Sequence, residues 1–575
     1  MLLKENASIE KLSGRYFTPQ AIADFVARWV IDQATDVETI LEPSVGEGVF
    51  LKSAAKLDPH ADVVSIEIDK ETASKAVETE GYFWYDNWDS YVKAKGKKKH
   101  KKAVVNDDFY IAYRNGLSQK RYRAILGNPP YIRYQYLNEE QRNEQSEILT
   151  SNSMKSNKLI NAWVSFTVAC VSCMDVNSRI GLVIPAELLQ VKYSEDLRKF
   201  LVGQLNRCTI ITFDNLVFDD IEQEVVLLLG EKIENDDEHL IKIVSFSDAD
   251  ALDMDVVNGE QFIEADLHSS KWTKYFLNTN QLNLISRIKS DDRFVKFSDI
   301  AKCEVGITTG NNKYFCVNDE TVKKYHLLKY CRALIARSVN IHGVQFLPKD
   351  WQENIDSGAR TYLLDLAPFD SKKFTKGVLD YIKWGEDNDH NTSYKTRIRD
   401  EWYKVPSVWS PDVFFLRRNY QFPKVMLNTD EVNAVSTDTM HRVKLKQHEN
   451  GKRLIVSYYT SLGLLFSELE GRSYGGGVLE ILPGEVGNIM LTDIFQSERI
   501  SDQEVEVLFQ RIDTFIRENG SDNIERLLDE MDQRILVGVG GLSQEDVCSI
   551  RAAWNRLKNR RLLRGGRITE DEPEE

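Results

Sequence analysis

Cysteine is scarce and long apolar runs are missing from this 575-residue chain. Its seven cysteines, an odd and widely spaced set, argue against a disulfide-stapled secreted protein and favour a reducing compartment. Cys170 and Cys173 form one CxxC pair without a second pair or a nearby histidine, so we expect two thiols in an apolar helix rather than a zinc site. No apolar stretch of about 18 residues is present, and Met1 to Glu10 show no signal-peptide pattern. We therefore expect a cytoplasmic protein that does not bind membranes.

A net positive charge is also lacking. The chain has 74 Lys and Arg against 89 Asp and Glu, which gives a net charge of −15 and excludes a chromatin-type polycation. Nucleic-acid binding is not excluded, because a basic cleft on an acidic body still attracts phosphate. The hydrophobic fraction of 42% and the charged fraction of 28% are ordinary for globular proteins, which excludes collagen-like and wholly disordered chains.

The first 230 residues alternate short apolar runs with helical patterns. The apolar runs lie at Thr39–Glu42, Asp62–Ile68, Ala103–Asn106, Arg123–Gly127, Arg179–Pro185, Thr209–Phe213 and Val225–Gly230. The helical patterns lie at Gln20–Gln33, Phe50–Lys56, Lys70–Thr79, Ala162–Met174 and Ser194–Gln204. Runs of Val, Ile and Leu separated by helix-length stretches are typical of buried parallel strands. The predicted fold class is therefore α/β, a Rossmann-like domain with a mixed, mostly parallel sheet.

The sequence pattern changes near Ile263, where the strict alternation of strand and helix patterns is lost. We predict a first domain over residues 1–265, an α+β domain over residues 266–550, and a basic then acidic tail over residues 551–575. Lys93–Lys102 has seven lysines in ten positions. This run indicates a solvated insertion loop, with phosphate contact as the alternative.

The segment Asn128-Pro129-Pro130-Tyr131 follows an apolar run that ends at Gly127. In this fold class ligands bind outside the carboxyl ends of the strands. Two prolines stiffen the loop and remove two backbone donors, which favours outward-facing acceptors. The Asn128 side-chain oxygen and the Pro129 carbonyl can accept both N–H groups of an exocyclic amine, and Tyr131 can stack on the ring that carries it. The alternative is a proline-stiffened turn with an exposed tyrosine.

A second motif, LEPSVGEGVFL, spans Leu41–Leu51. Gly46 and Gly48 allow close backbone approach, but their spacing fits neither a dinucleotide fingerprint nor a P-loop. Glu42 can bind an ammonium group. Glu67, at the end of the second predicted strand, suits the two hydroxyls of a ribose.

The third predicted strand ends in Asn106–Phe109, which reads NDDF. Asp108 can accept a hydrogen bond from an adenine amino group, and Phe109 can cover the adenine ring. Thr18, in the segment GRYFTP, can bond a carboxylate or simply cap the following helix. Together with Glu42 and Glu67, these residues fit S-adenosylmethionine better than a dinucleotide, because no phosphate site accompanies them.

The order FTP, EPSVGEG, EID, NDDF and NPPY, followed by a large C-terminal region, resembles the gamma group of N6-adenine DNA methyltransferases of restriction–modification systems. The resemblance implies a site-specific enzyme that binds S-adenosylmethionine, flips an adenine out of duplex DNA and methylates its N6 atom. It implies a cofactor set of Thr18, Glu42, Gly46, Glu67, Asp108, Phe109, Asn128 and Pro130. It implies a catalytic and adenine-binding set of Asn128, Pro129 and Tyr131, with Phe218 on the opposite face of the base. Phe218 as a core residue is the alternative.

Three segments of the second domain indicate that it recognises a DNA sequence. Glu304–Phe315 and Arg472–Leu479 resemble recurring segments of the target-recognition domain in this family. Arg397–Asn419 mixes Arg with Trp and Tyr, a composition suited to phosphates and base edges. The alternative is that these segments are loops and β-core.

Other functions stay open at this point. N4-cytosine methylation is a close rival, although that group tends to have Ser at the position of Asn128. RNA or protein-glutamine methylation and a non-catalytic DNA-binding subunit are more distant alternatives. We expect double-stranded DNA as the substrate, a separate cognate endonuclease, no metal site, and a monomer on DNA.

Overall fold

The computed structural model describes residues 18–31, 39–79, 81–94, 100–218, 224–266, 271–446, 451–521 and 523–563. The chain divides into two compact units, Met1–Phe276 and Leu277–Glu575. Parts of the segments named above lie outside the described residues: 1–10, 14–17, 32–33, 95–99 and 564–575. Among the helices of the described ranges, none combines the length and apolar character needed to cross a bilayer.

The first unit is built on one mixed sheet. Its strands are β1 (Thr39–Glu42), β2 (Asp62–Glu67), β3 (Phe83–Tyr85), β4 (Lys102–Asn106), β5 (Tyr122–Gly127), β6 (Met174–Pro185), β7 (Arg207–Phe213), β8 (Val225–Lys232), β9 (Leu240–Phe246) and β10 (Ile263–Glu264). Their order across the sheet is β10-β9-β7-β8-β6-β5-β1-β2-β4-β3. β8 runs antiparallel to β6 and β7, β10 runs antiparallel to β9, and the other described pairs are parallel. The predicted α/β class with a mixed, mostly parallel sheet is confirmed.

Each of the seven predicted apolar runs forms a strand of this sheet, because such runs are stable only when both faces of the strand are covered. The covering helices of the unit are α1 (Gln20–Ile31), α2 (Val49–Leu57), α3 (Lys70–Val77), α4 (Trp88–Ala94), α5 (Phe109–Arg114), α6 (Glu139–Ser151), α7 (Ala162–Ser172), α8 (Glu195–Gln204) and α9 (Met254–Gly259). Residues 162–171 of α7 are all buried.

Cys170 and Cys173 are free, buried thiols, and burial raises the pKa of Cys173 to about 12.

The second unit combines four small sheets with helices. Its strands are β11 (Phe294–Lys296), β12 (Ala301–Val305), β13 (Cys316–Val317), β14 (Cys331–Ile335), β15 (Gln345–Phe346), β16 (Tyr362–Leu364), β17 (Val413–Leu416), β18 (Arg418–Asn419), β19 (Val425–Asn428), β20 (Val435–Ser436), β21 (Met440–Leu445), β22 (Arg472–Tyr474), β23 (Val478–Glu480) and β24 (Met490–Thr492). The sheet orders are β11-β24, β12-β21-β17-β19-β15, β13-β16-β14-β20 and β18-β23-β22. This is the α+β architecture predicted for the second part of the chain.

The two longest of the described helices of the second unit lie in its C-terminal part. They are α10 (Thr279–Lys289), α11 (Phe297–Ile300), α12 (Asn312–Phe315), α13 (Asp319–Tyr325), α14 (Pro348–Asp356), α15 (Lys376–Asp387), α16 (Tyr394–Arg397), α17 (Gly451–Tyr458), α18 (Ser461–Glu470), α19 (Pro483–Val486), α20 (Asp502–Asn519), α21 (Ile524–Met531) and α22 (Gln544–Leu563). Arg561 of α22 pairs with Glu468 of α18 at 2.6 Å, and both side chains are 3% exposed. The helix α22 is therefore packed into the unit at least as far as Arg561.

Gly181 of β6 lies where α1 crosses the sheet. A Cβ added at Gly181 would lie 2.6 Å from Val26 Cγ1 and 2.9 Å from Val30 Cγ2 of α1. Gly181→Ala is therefore expected to lower the free energy of unfolding by about 1–3 kcal/mol, because the branched valines leave no room to relax. Urea unfolding followed by tryptophan fluorescence measures the change. Gly203→Ala is the matched control, since a Cβ there meets nothing within 4 Å; equal stabilities of the two variants would contradict this packing.

Candidate functional site

A cavity of about 640 Å³ lies at the carboxyl ends of β1, β2, β4 and β5 in the first unit. Those four strands are neighbours in the sheet and run parallel, so their ends meet at one edge. The lining residues are Thr18, Gln20, Pro43, Ser44, Val45, Gly46, Glu47, Val49, Phe50, Lys52, Ile66, Glu67, Ile68, Thr72, Asp107, Asp108, Phe109, Tyr110, Asn128, Pro130, Ile132, Tyr136, Leu137, Gln141, Ala162 and Phe166.

The turn after β1 presents backbone to this cavity. Gly46 and Gly48 have φ angles of 54° and 80°, in the left-handed region that favours glycine. A Cβ on Gly48 would lie 3.2 Å from the Cα of Ala76, so Gly48 also permits close packing of α3. A Cβ on Gly46 would meet no protein atom within 4 Å. Gly46 therefore leaves an open backbone surface for a ligand.

Glu67 is fixed at the end of β2 by backbone donors. Its Oε2 atom accepts a hydrogen bond from the Gly46 N–H at 3.0 Å, and its Oε1 atom accepts one from the Asp69 N–H at 3.0 Å. These bonds tie the glycine turn after β1 to the end of β2. The carboxylate is thereby oriented before any ligand binds.

Glu42, the last residue of β1, is a buried carboxylate. It is 0% exposed, and among the described residues neither of its oxygens has a hydrogen-bond partner. Burial and the nearby Glu67 raise the pKa of Glu42 well above its usual range. The Glu42 Cγ lies 3.6 Å from the position of a Cβ built on Gly127, so Glu42 sits beside the loop that follows β5. Such a group is stabilised by a cation or by a donor brought by a ligand.

Asp108 caps α5 at the end of β4. One oxygen accepts the Tyr110 N–H at 2.8 Å, and the other accepts Gln141 Nε2–H at 2.7 Å. Burial raises the pKa of Asp108, and these two bonds oppose that rise. Phe109 stacks on Phe166 with the ring centroids 4.4 Å apart. The end of β4 therefore places an oriented hydrogen-bond acceptor, Asp108, next to the aromatic side chain of Phe109.

Asn128 begins the proline loop after β5. Its Nδ2 atom donates to Thr18 Oγ1 at 3.1 Å, and its backbone carbonyl accepts a hydrogen bond from Ser44 Oγ at 2.9 Å. Because the amide nitrogen faces Thr18, the amide oxygen points to the other side of the side chain. Thr18 thus orients the side-chain amide of Asn128, and Ser44 holds the backbone of the same residue.

The structure brings seven of the predicted site residues to the cavity wall: Thr18, Gly46, Glu67, Asp108, Phe109, Asn128 and Pro130. Glu42, Pro129, Tyr131 and Phe218 are buried and are not among the lining residues described above. Tyr131 donates its hydroxyl to the Val183 carbonyl of β6 at 3.1 Å and is 8% exposed. Phe218 is 6% exposed and directly precedes residues outside the described part.

Gln141 and Phe166 line the cavity but are absent from the sequence-based prediction. Phe166 lies in α7, whose residues 162–171 are all buried, so no periodicity distinguishes a wall residue from a core residue. Gln141 has a readable signal, because Asn138 and Gln141 form a capping box that starts α6. That pattern locates the start of α6, but it does not reveal that Gln141 bonds Asp108, the residue that caps α5.

In the second unit, the three predicted DNA-reading segments lie side by side. Arg399 donates to the carbonyls of Thr308 and Thr309, and Ser393 Oγ donates to the Gly310 carbonyl at 2.9 Å. β18 pairs with β23, which in turn pairs with β22. These contacts link Glu304–Phe315 to the start of Arg397–Asn419, and the end of Arg397–Asn419 to Arg472–Leu479.

Two family models match the chain. One, described as Eco57I restriction-modification methylase, matches residues 51–218. The other, described as Type II methyltransferase M.Eco57I, C-terminal domain, matches residues 269–536. The first match lies within the first unit, and the second begins eight residues before the second unit and otherwise lies within it.

Similar proteins include the Type II methyltransferase M.AccI of Acinetobacter calcoaceticus, 23% identical over 541 residues, or 91% of this chain and 93% of M.AccI. The Type II methyltransferase M.HindII of Haemophilus influenzae is 26% identical over 333 residues, or 55% of this chain and 57% of M.HindII. Among solved structures, the Type IIL restriction-modification enzyme MmeI in complex with DNA aligns with a TM-score of 0.55 at 14% identity, over 91% of this chain and 73% of MmeI. That structural likeness is one of fold.

Glu42→Gln is expected to raise the free energy of unfolding of the ligand-free protein. Because the pKa of Glu42 is raised in the folded state, stability is lost as pH rises above the unfolded-state pKa of about 4.3. The variant should therefore unfold at a higher temperature than the wild type at pH 7.5, and the difference should shrink towards pH 4.5. Thermal unfolding across this pH range measures it. Glu147→Gln, at an exposed site of α6, is the control; equal pH profiles for both variants and the wild type would contradict the buried charge.

Proposed function

We propose that this chain, a member of the Eco57I-type restriction-modification methylases, is a type II DNA methyltransferase that methylates the N6 amino group of adenine. The methyl donor is S-adenosylmethionine, and the substrate is an adenine flipped out of duplex DNA. The observation that carries the proposal is one cavity with the Asn128 loop on one side and the acceptors Glu67 and Asp108 on the other.

The acceptor groups at the cavity wall, and the buried Glu42 beside the proline loop, fit S-adenosylmethionine. Glu42 offers a buried carboxylate whose oxygens have no partner in the described part of the chain, which suits the cofactor's ammonium group. Glu67 would hold the ribose hydroxyls, and Gly46 leaves its backbone open beside them. Asp108 would accept from the adenine amino group, with Phe109 against the ring. When bound, the cofactor supplies a methyl group activated by a sulfonium.

The chain's own groups would prepare the target nitrogen. An adenine amino group is a poor nucleophile, because its lone pair is conjugated into the ring. The Asn128 oxygen and the Pro129 carbonyl would accept its two N–H groups and favour a geometry that frees the lone pair. The Thr18 bond to the Asn128 amide nitrogen supports this role, because it directs the amide oxygen before the base arrives. Positioning and preorganised dipoles then supply most of the rate enhancement.

The second unit is proposed as the target-recognition domain, and the first as the catalytic domain. The contacts of Arg397–Asn419 with Glu304–Phe315 and with Arg472–Leu479 support this assignment, since separate loops must converge to read one site. Exposed aromatic and aliphatic side chains on or next to these segments are Tyr394 at 66%, Ile398 at 59% and Tyr420 at 45%. With a net charge of −15, binding to DNA requires a local basic surface and should weaken with salt.

The restriction–modification setting extends the proposal to partners. Double-stranded DNA is the substrate, a separate endonuclease cuts unmodified sites, and one chain acts on each site. Sedimentation of the protein with duplex DNA measures the last point, for which a complex with one chain per duplex is expected.

A transfer assay tests the reaction. DNA from a methylation-deficient bacterium is incubated with the full chain and tritiated S-adenosylmethionine, digested, and its nucleosides separated. Label in N6-methyladenine is expected. Label in N4-methylcytosine, in protein or RNA, or in no product contradicts the proposal.

Asn128→Ala is expected to lower the transfer rate by about 10³-fold or more, because it removes a preorganised acceptor at the reacting nitrogen. Affinity for S-adenosylmethionine, measured by calorimetry, should stay within about threefold of wild type. Asn115→Ala, at an exposed residue after α5, is the control and should retain full activity. Full transfer by Asn128→Ala would remove the proposed role of this amide.

Tyr131 is expected to act through its ring rather than its hydroxyl. Tyr131→Phe loses the hydroxyl and its bond to Val183 but keeps the ring, and should bind the flipped base nearly as well as wild type. Tyr131→Ala should weaken base capture by about 1–3 kcal/mol, the usual worth of a base–aromatic stack. Long-read sequencing first identifies the methylated site, and 2-aminopurine placed there then reports flipping by fluorescence. A wild-type protein that gives no fluorescence rise would overturn the flipping step.

A further inference from the structure

The side chain of Gln141 connects two parts of the cavity wall. Its Oε1 atom accepts the Asn138 N–H at 3.0 Å, and its Nε2 atom donates to Asp108 Oδ2 at 2.7 Å. Asn138 directly follows Tyr136 and Leu137, which line the cavity. One amide therefore joins the segment after the proline loop to the acceptor at the end of β4.

The two ends of this amide are not interchangeable. The backbone N–H of Asn138 is a donor, so the amide oxygen must face it, and the amide nitrogen must then face Asp108. The capping box at the start of α6 holds the orientation, because Asn138 Oδ1 accepts the Gln141 N–H at 2.8 Å in return. Asp108 is thus always met by a donor from α6.

We infer that Gln141 is a positioning residue that makes the cavity select a 6-aminopurine ring over a 6-oxopurine ring. The inference rests on the proposed function, in which Asp108 accepts from the adenine amino group of the cofactor. Nothing in the sequence motifs or in the family matches assigns this role to Gln141.

The preference for a 6-aminopurine ring follows from the protonation state of Asp108, which the hydrogen bond from Gln141 influences. Tyr110 N–H and Gln141 Nε2–H both donate to it, and these two bonds favour the ionised, accepting form of the carboxyl group against the burial that raises its pKa. A 6-amino group can donate to such an acceptor. A 6-oxo group presents a second acceptor to it, and two acceptors without a proton between them repel.

Gln141→Glu is the most direct test. A carboxylate can still accept the Asn138 N–H and preserve the capping box, but it places a second carboxylate next to Asp108. Two carboxylates at this distance share a proton. The pair can then donate as well as accept, which abolishes the distinction between the two rings.

The measurement is the dissociation constant of the full chain for S-adenosylhomocysteine and for its deaminated analogue S-inosylhomocysteine, determined by calorimetry at pH 7.5. Wild type is expected to prefer the adenosyl compound by about tenfold or more. For Gln141→Glu, the ratio of the dissociation constants of the two compounds is expected to lie within about threefold of one. A role limited to stabilising α6 would weaken both ligands equally and leave the ratio unchanged.

The chain offers a matched control. Asn278 and Gln281 form the same capping box at the start of α10 in the second unit. Gln281→Glu makes the identical change in the identical motif and should leave the ratio at its wild-type value. Gln141→Met is a second variant, which loses both side-chain bonds without adding charge and should also lower the ratio.

The outcomes separate the inference from the proposed function. Wild-type selectivity retained by Gln141→Glu and Gln141→Met overturns the role of Gln141 and leaves the methyltransferase proposal standing. A wild-type protein that binds neither compound overturns the proposed cofactor, and the inference with it. Loss of selectivity in both Gln141 variants but not in Gln281→Glu supports the inference.

Discussion

The parallel pairing of β5, β1, β2 and β4 is the constraint on which the site depends. Parallel strands end at the same edge of a sheet, so the residues that terminate them converge without any further device. Glu42, Glu67 and the loops that begin at Asp107 and Asn128 follow from that geometry. The backbone hydrogen bonds of the sheet hold these strand ends in place, and the loops add only short extensions. A rigid edge of this kind is what a site needs in order to orient small polar groups.

The same edge concentrates unfavourable charge. Glu42 is fully buried beside Glu67, and burial together with that neighbour disfavours its ionised form. Proteins seldom retain such a group for stability, since a buried carboxylate without a partner costs free energy. The arrangement is reasonable only if a ligand completes it, which links the fold's least favourable feature to its proposed activity. Asn128 and Asp108 differ from Glu42, because protein donors and acceptors already orient them.

Connections between distant segments organise the remaining wall and the second unit. Gln141 joins α6 to the end of β4, and the Asn128 amide joins the loop after β5 to Thr18. In the second unit, Arg399 and the β18-β23 pairing bring three separate segments together. In each case, one or a few polar contacts determine how loops from different parts of the sequence combine into a surface.

The amino-acid sequence by itself determined seven of the ten strands described in the first unit, because buried strands require continuous apolar runs that are visible locally. The strands β3, β9 and β10 were not predicted. It also indicated which polar residues end those strands, and seven of the residues that line the cavity. Only the tertiary structure decided the antiparallel direction of β8, the burial of Tyr131 against β6, and the partner of Gln141. The physical reason is the range of the interactions. Periodicity reports the environment of one segment, whereas strand direction and side-chain partners depend on packing between segments far apart in the chain.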